Sequence, residues 1–164
     1  MALDAFADVL AANDAYARGY RLGDLRGSAA KGLAVVTCMD TRIEPLAMLG
    51  LRPGDAKILR NAGGRVTDEI LRTLVVASYL LNVDRVMVIA HTDCRMTGGA
   101  DDELHEAIAA AGGPDTRDLS FGVVPDQQAA VRADVERIRS FGYLPGLRVG
   151  GFVFDVGSGR LTPV

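Results

Sequence analysis

A chain of 164 residues has the length of one domain, and at that size folding buries about two thirds of the surface the unfolded chain exposes. Hydrophobic residues at 49% and charged residues at 24% exclude a mostly disordered chain. The 18 Lys+Arg scattered among 21 Asp+Glu, for a formal charge of -3, leave no basic face for nucleic acid. The opening segment has no basic n-region, and no run of about 20 apolar residues offers a membrane span. The expectation is a cytoplasmic chain with no membrane or nucleic-acid partner, folded as a single domain over 1–164 with a helical arm and linker over 1–28.

In chain order, the spacing of Ala5, Val9, Leu10 and Tyr16 predicts a helix over 4–20, broken at Gly19 and followed by a glycine-containing join. Leu33-Ala34-Val35-Val36, ending in Thr37-Cys38, reads as a strand buried on both faces of a parallel sheet. A helical turn or two is expected over 43–49, a turn at Pro53-Gly54 and a strand over 56–59. Thr67 is a helix N-cap, followed by Asp68 and Glu69 in the first turn and by Ile70, Leu71, Leu74 and Val75 at helical spacing. Val86-Met87-Val88-Ile89-Ala90 is the most apolar strand and runs directly into His91-Thr92-Asp93-Cys94. Helices are expected over 101–111, with Leu104, Ala107, Ile108 and Ala111 on one face, and from Pro125 to Gly142, with Val131, Val135 and Ile138 inward. Residues 151–161 read as a strand, a glycine turn and a short return. Alternating strands and helices predict an α/β fold with a mainly parallel central sheet flanked by helices, whose ligands bind beyond the carboxyl ends of the strands.

Two polar clusters fall at those ends. In Cys38-Met39-Asp40-Thr41-Arg42, extended backbone would place positions 38, 40 and 42 on one side, so that a thiol, a carboxylate and a guanidinium meet. In His91-x-x-Cys94, an imidazole and a thiol three positions apart can grip one ion. Two cysteines are too few for a disulfide framework. Taken singly, a cysteine at a strand end is ordinarily a small buried hydrophobe. Together, Cys38, His91 and Cys94 are one ligand short of tetrahedral zinc, the arrangement of a catalytic zinc with an open fourth position. His105, beside Glu103 and Glu106, reads as a solvated surface residue.

These two clusters, with Arg60-Asn61-Ala62-Gly63, the helix from Thr67 and the closing Gly-Phe-Val-Phe-Asp-Val segment, resemble the β-class carbonic anhydrases in their short bacterial and archaeal form. The likeness runs over roughly residues 30–160. It implies a Zn2+ cofactor held by Cys38, His91 and Cys94, with Asp40 and Arg42 as a polar dyad beside the fourth position and Gly63 in a loop near the substrate. It implies reversible hydration of CO2 to bicarbonate and a proton by zinc-bound hydroxide, in a homodimer or higher homo-oligomer whose N-terminal helix packs on the partner subunit. Two departures stand out: Arg95 follows the second cysteine where the family usually has glycine, and the chain has no Trp for the bicarbonate pocket of some members. Two other readings share the ligand set. One is a zinc hydrolase of another heteroallene, carbon disulfide or carbonyl sulfide. The other is a non-catalytic zinc module with Asp40 as a permanent fourth ligand.

Overall fold

A computed structural model describes residues 4–164. A short 3-10 turn, Asp4–Phe6, leads into α1 (Ala7–Arg18), and β1 (Leu33–Cys38), α2 (Pro45–Met48), β2 (Ala56–Asn61), α3 (Asp68–Leu80) and β3 (Arg85–His91) follow. Beyond the second polar cluster come α4 (Asp101–Ala110), α5 (Gln127–Arg139), β4 (Arg148–Phe154) and β5 (Leu161–Pro163). The sheet order is β2-β1-β3-β4-β5. The first four strands run parallel, and β5 pairs antiparallel with β4. The α/β expectation, with its mainly parallel sheet, its flanking helices and its N-terminal helix, describes this architecture.

Every residue of β1 is buried, which accounts for the unbroken apolar run: a central parallel strand is covered on both faces. Period-two alternation divides it. Ala34 and Val36 pack with Ile70, Leu71 and Leu74 of α3 and Val131, Val135 and Ile138 of α5. Leu33 and Val35 pack with Ile43, Ile89, Met96 and Phe154. Helix α3 starts where the sequence places it, with Thr67 Oγ1 accepting from the Ile70 amide at 3.4 Å and Asp68 and Glu69 in the first turn.

The differences from the sequence reading are local. Strand β2 continues through Arg60 and Asn61, because the ladder with β1 runs on to the Cys38–Asn61 pair, and β4 opens at Arg148. Helix α5 begins at Gln127, not at Pro125, because Asp126 caps it by accepting from the Ala129 amide at 3.1 Å. No residue of α4 is buried, so its apolar stripe is only half-covered. His105 is half-buried, with Nδ1 2.9 Å from Thr116 Oγ1 and its ring 5.2 Å from that of Phe121. A side chain on the polar side of a helix acquires burial there because the loop after α4 folds back over it.

The N-terminal helix stands apart from this core. No residue of α1 is buried, and Phe6, Val9, Leu10, Tyr16 and Tyr20 are all exposed.

Candidate metal centre

Strands β1 and β3 are adjacent and in register, with Thr37 opposite Ile89, so their carboxyl ends deliver Cys38 and His91 to the same edge of the sheet. Thr37 Oγ1 donates to the Ile89 carbonyl at 3.0 Å and ties the two strands together one residue before Cys38. Cys94 returns to the same point because the chain turns sharply after β3: Asp93 stands at φ 54, and the Thr97 amide donates to the Cys94 carbonyl at 3.0 Å. The donor atoms of Cys38, His91 and Cys94 lie within 4.8 Å of one another, and all three residues are buried.

The imidazole is oriented for a metal. Nδ1 lies 2.8 Å from the Thr92 carbonyl oxygen. A carbonyl can only accept, so Nδ1 carries a proton, and the tautomer this selects presents a bare Nε2 lone pair. Nε2 is buried without a hydrogen-bond partner, and Asp40 Oδ2, at 3.9 Å, is beyond hydrogen-bonding distance. A buried acceptor left unpaired is costly; beside two thiols, it fits the third donor of a tetrahedral zinc site with one position left over. Burial, reinforced by the neighbouring Cys38, pushes the Cys94 thiol up from its ordinary value.

Asp40 and Arg42 do meet, but not through extended backbone. The strand ends at Cys38 and the chain turns, with the Arg42 amide donating to Asp40 Oδ1 at 2.9 Å and the Ile43 amide to the Asp40 carbonyl at 3.1 Å. The guanidinium then closes a two-pronged grip, Nε to Oδ1 at 3.0 Å and Nη2 to Oδ2 at 2.8 Å. These hydrogen bonds hold the Asp40 carboxyl far below the usual carboxylate range. The hydrogen bonds it donates to Asp40 and then to Asp93 hold the Arg42 guanidinium above its ordinary value.

Gly63 faces Cys38, its amide donating to Sγ at 3.3 Å. The turn that aims it is braced by Asn61, whose side chain accepts from the Arg65 amide and donates to the Arg65 carbonyl, both at 2.8 Å. At Gly64, φ is +66 and a Cβ would come within 2.8 Å of the Cys38 amide nitrogen, so only glycine lets this turn lie against the end of β1.

Several contributors escaped the sequence reading. Arg60 donates to the Cys38 carbonyl at 2.8 Å and the Asp40 carbonyl at 2.6 Å. Buried Asp134 of α5 pairs with Arg65 at 2.7 Å and accepts from the Val66 amide at 3.3 Å. Asp93 accepts from Arg42. Two of these carried a local signal without an assigned role: Arg60 in the Arg60-Asn61-Ala62-Gly63 motif, and Asp93 as the acidic residue inside His-x-x-Cys. Arg95 is exposed and its backbone is not left-handed, so the arginine is accommodated without the conformation that would demand glycine there.

The comparisons with known proteins agree with this geometry. The family described as "Carbonic anhydrase" matches residues 33–113, a span that contains both polar clusters. "Beta-carbonic anhydrase 1" of Mycobacterium tuberculosis is 37% identical over 160 residues, 96% of each chain. A "Carbon disulfide hydrolase" of Saccharolobus solfataricus is 43% identical over 72 residues, covering 44% of this chain and 35% of that protein. The crystal structure of a carbonic anhydrase from Streptococcus mutans superposes with a TM-score of 0.88 at 34% identity, over 97% of this chain and 96% of that one. With a likeness that spans nearly the whole chain, and a Cys-His-Cys cluster buried at the carboxyl end of the sheet, the protein belongs to the β-carbonic anhydrase family.

Proposed function

We propose that the protein is a zinc-dependent carbonic anhydrase that interconverts carbon dioxide and bicarbonate. The observation that carries this reading is the buried, unpartnered Nε2 of His91 facing two cysteine sulfurs within 4.8 Å. Cys38, His91 and Cys94 are the residues that would hold Zn2+. When bound, the ion supplies the Lewis acidity that makes water a nucleophile near neutral pH. The rest is done by the chain's own side chains. Asp40 Oδ2, poised 3.9 Å from His91 Nε2, is the acceptor that takes the hydrogen bond of the attacking water and aims its lone pair at CO2. Arg42 keeps Asp40 ionised and, by engaging both of its oxygens, keeps it from joining the three donors. The Gly63 amide, through its bond to Cys38 Sγ, steadies that sulfur and borders the substrate side of the site.

A permanently closed, non-catalytic site would require Asp40 to join the donors, whereas three hydrogen bonds from Arg42 hold it back. The carbon disulfide hydrolase relative supports a second reading, hydrolysis of another heteroallene on the same ligand set. We further propose that the catalytic unit is one domain spanning 1–164, that residues 1–28 form an arm which packs on a second copy in a homodimer, and that it works in the cytoplasm. The described residues hold no helix long and apolar enough to cross a membrane.

Metal analysis tests the ligand set directly. Wild type is expected to retain one zinc per chain and to hydrate CO2, while Cys38→Ser, Cys94→Ser protein loses both. Stoichiometric zinc in the double variant would end this assignment.

A further inference from the structure

Arg42 is gripped from two sides. Besides its contacts with Asp40, its Nη1 donates to Asp93 Oδ2 at 2.7 Å and its Nη2 to the Asp93 carbonyl oxygen at 3.0 Å. Two acceptors of one residue thus meet one guanidinium. Asp93 lies between His91 and Cys94 at φ 54, a left-handed conformation that Asp and Asn enter more easily than other residues with side chains. Through this contact Arg42 ties the segment after β1 to the segment after β3; Cys38 and His91 end those two strands, and Cys94 lies on the second segment.

We propose that Asp93 is a positioning residue for the Asp40–Arg42 pair: it anchors the guanidinium so that the Nε–Nη2 edge faces Asp40, and through Arg42 it keeps Asp40 off the metal. The inference rests on the metal-centred reading above. An arginine held by Asp40 alone can swing with that carboxylate. One also fastened to the 91–94 segment must break a second charge-assisted bond to do so. The alternative is that Asp93 serves only the turn, as a residue tolerant of positive φ. Glycine and asparagine separate the two roles, since both accept that backbone but only asparagine keeps an acceptor oxygen for Nη1.

The test compares Asp93→Gly and Asp93→Asn with wild type. In metal-free protein, the Arg42 Nε–H resonance, identified by its loss in Arg42→Lys, should exchange with water faster in Asp93→Gly and at the wild-type rate in Asp93→Asn. In cobalt-substituted protein, the visible spectrum of Asp93→Gly should move toward the carboxylate-ligated form that Arg42→Ala shows more fully, with Asp93→Asn unmoved. At unchanged zinc content and Tm, kcat/KM for CO2 should fall by about fivefold in Asp93→Gly, the upper range for an exposed ion pair, and stay within about twofold in Asp93→Asn. Wild-type exchange at Arg42 in Asp93→Gly, or equal losses in the glycine and asparagine variants, overturns the proposal. A wild type that hydrates no CO2 contradicts the hydratase reading instead, and the metal-free resonance still decides the role of Asp93.

Discussion

At His91 a single proton decides what the site can bind. Nδ1 spends it on the Thr92 carbonyl, which leaves Nε2 free to ligate, while the two sulfurs must lose theirs before a metal can enter. The raised Cys94 thiol has a consequence for stability. Its folded value lies above the ordinary 9.0, so the neutral thiol is favoured by folding; that stabilisation is complete below pH 9 and is lost as pH climbs toward the folded value. Metal-free protein should therefore lose Tm above about pH 9, and zinc-loaded protein should not, as calorimetry of the two forms side by side would record. Gly64→Ala places a Cβ 2.8 Å from the Cys38 amide nitrogen at φ +66 and should cost about 2 kcal/mol or more, read as a lowered urea midpoint, with weakened zinc retention. The dyad is predicted to separate under substitution. Arg42→Ala frees Asp40 to approach the donors, and should slow CO2 hydration by about a hundredfold without releasing zinc. Asp40→Asn should also keep zinc and lose rate. An Arg42→Ala enzyme as fast as wild type would contradict this account of the dyad.

Strands and capped helices were legible because their signals are local. The apolar run into Thr37-Cys38, the run into His91 and the Thr67 cap each name their element from neighbours in the chain, and the parallel topology then brings the two strand ends together. The Asp40–Arg42 geometry was legible only as a pairing, because the Asp side chain captures the Arg42 amide and bends backbone that alternation alone would leave extended. The roles of Asp134 and Arg60 were not legible: their partners, Arg65 and the Cys38 carbonyl, meet them only after the helix and sheet have packed. His105 misled for the same reason, since its cover comes from Thr116 and Phe121 in the following loop. Helix α1 poses the converse case, an element legible in sequence that the single chain leaves without a surface. Its exposed Val9, Leu10 and Tyr16 are accompanied elsewhere by the exposed Val76, Tyr79 and Tyr143, beside an apolar cleft of about 420 Å³ lined by Leu71, Val75 and Phe141. Light scattering should find a dimer at micromolar concentration, and a Val9→Asp, Leu10→Asp variant should be monomeric or far more weakly paired. A wild-type monomer with full activity would refute the arm's role.

Across the whole molecule, charge sets the pH behaviour. Asp40 is held ionised by Arg42 far below neutrality. Its folded value lies below its unfolded one, so the dyad is intact throughout the mildly acidic and neutral range and fails only in strong acid. A rise of CO2 hydration with pH is therefore expected from the metal centre and not from the dyad. Two thiolates and one imidazole would cancel the charge of a bound Zn2+, so the acidity conferred on water should be weaker than the value near 7 that three histidines give. CO2 hydration should climb from pH 7 toward pH 9 with zinc content constant. Stopped-flow CO2 hydration across that range, with carbon disulfide hydrolysis assayed on the same zinc-quantified preparation, is the most direct test. The account predicts one zinc per chain and rapid, alkaline-favoured CO2 hydration; zinc-replete protein that hydrolyses carbon disulfide and leaves CO2 unchanged, or a flat CO2 profile, would contradict it.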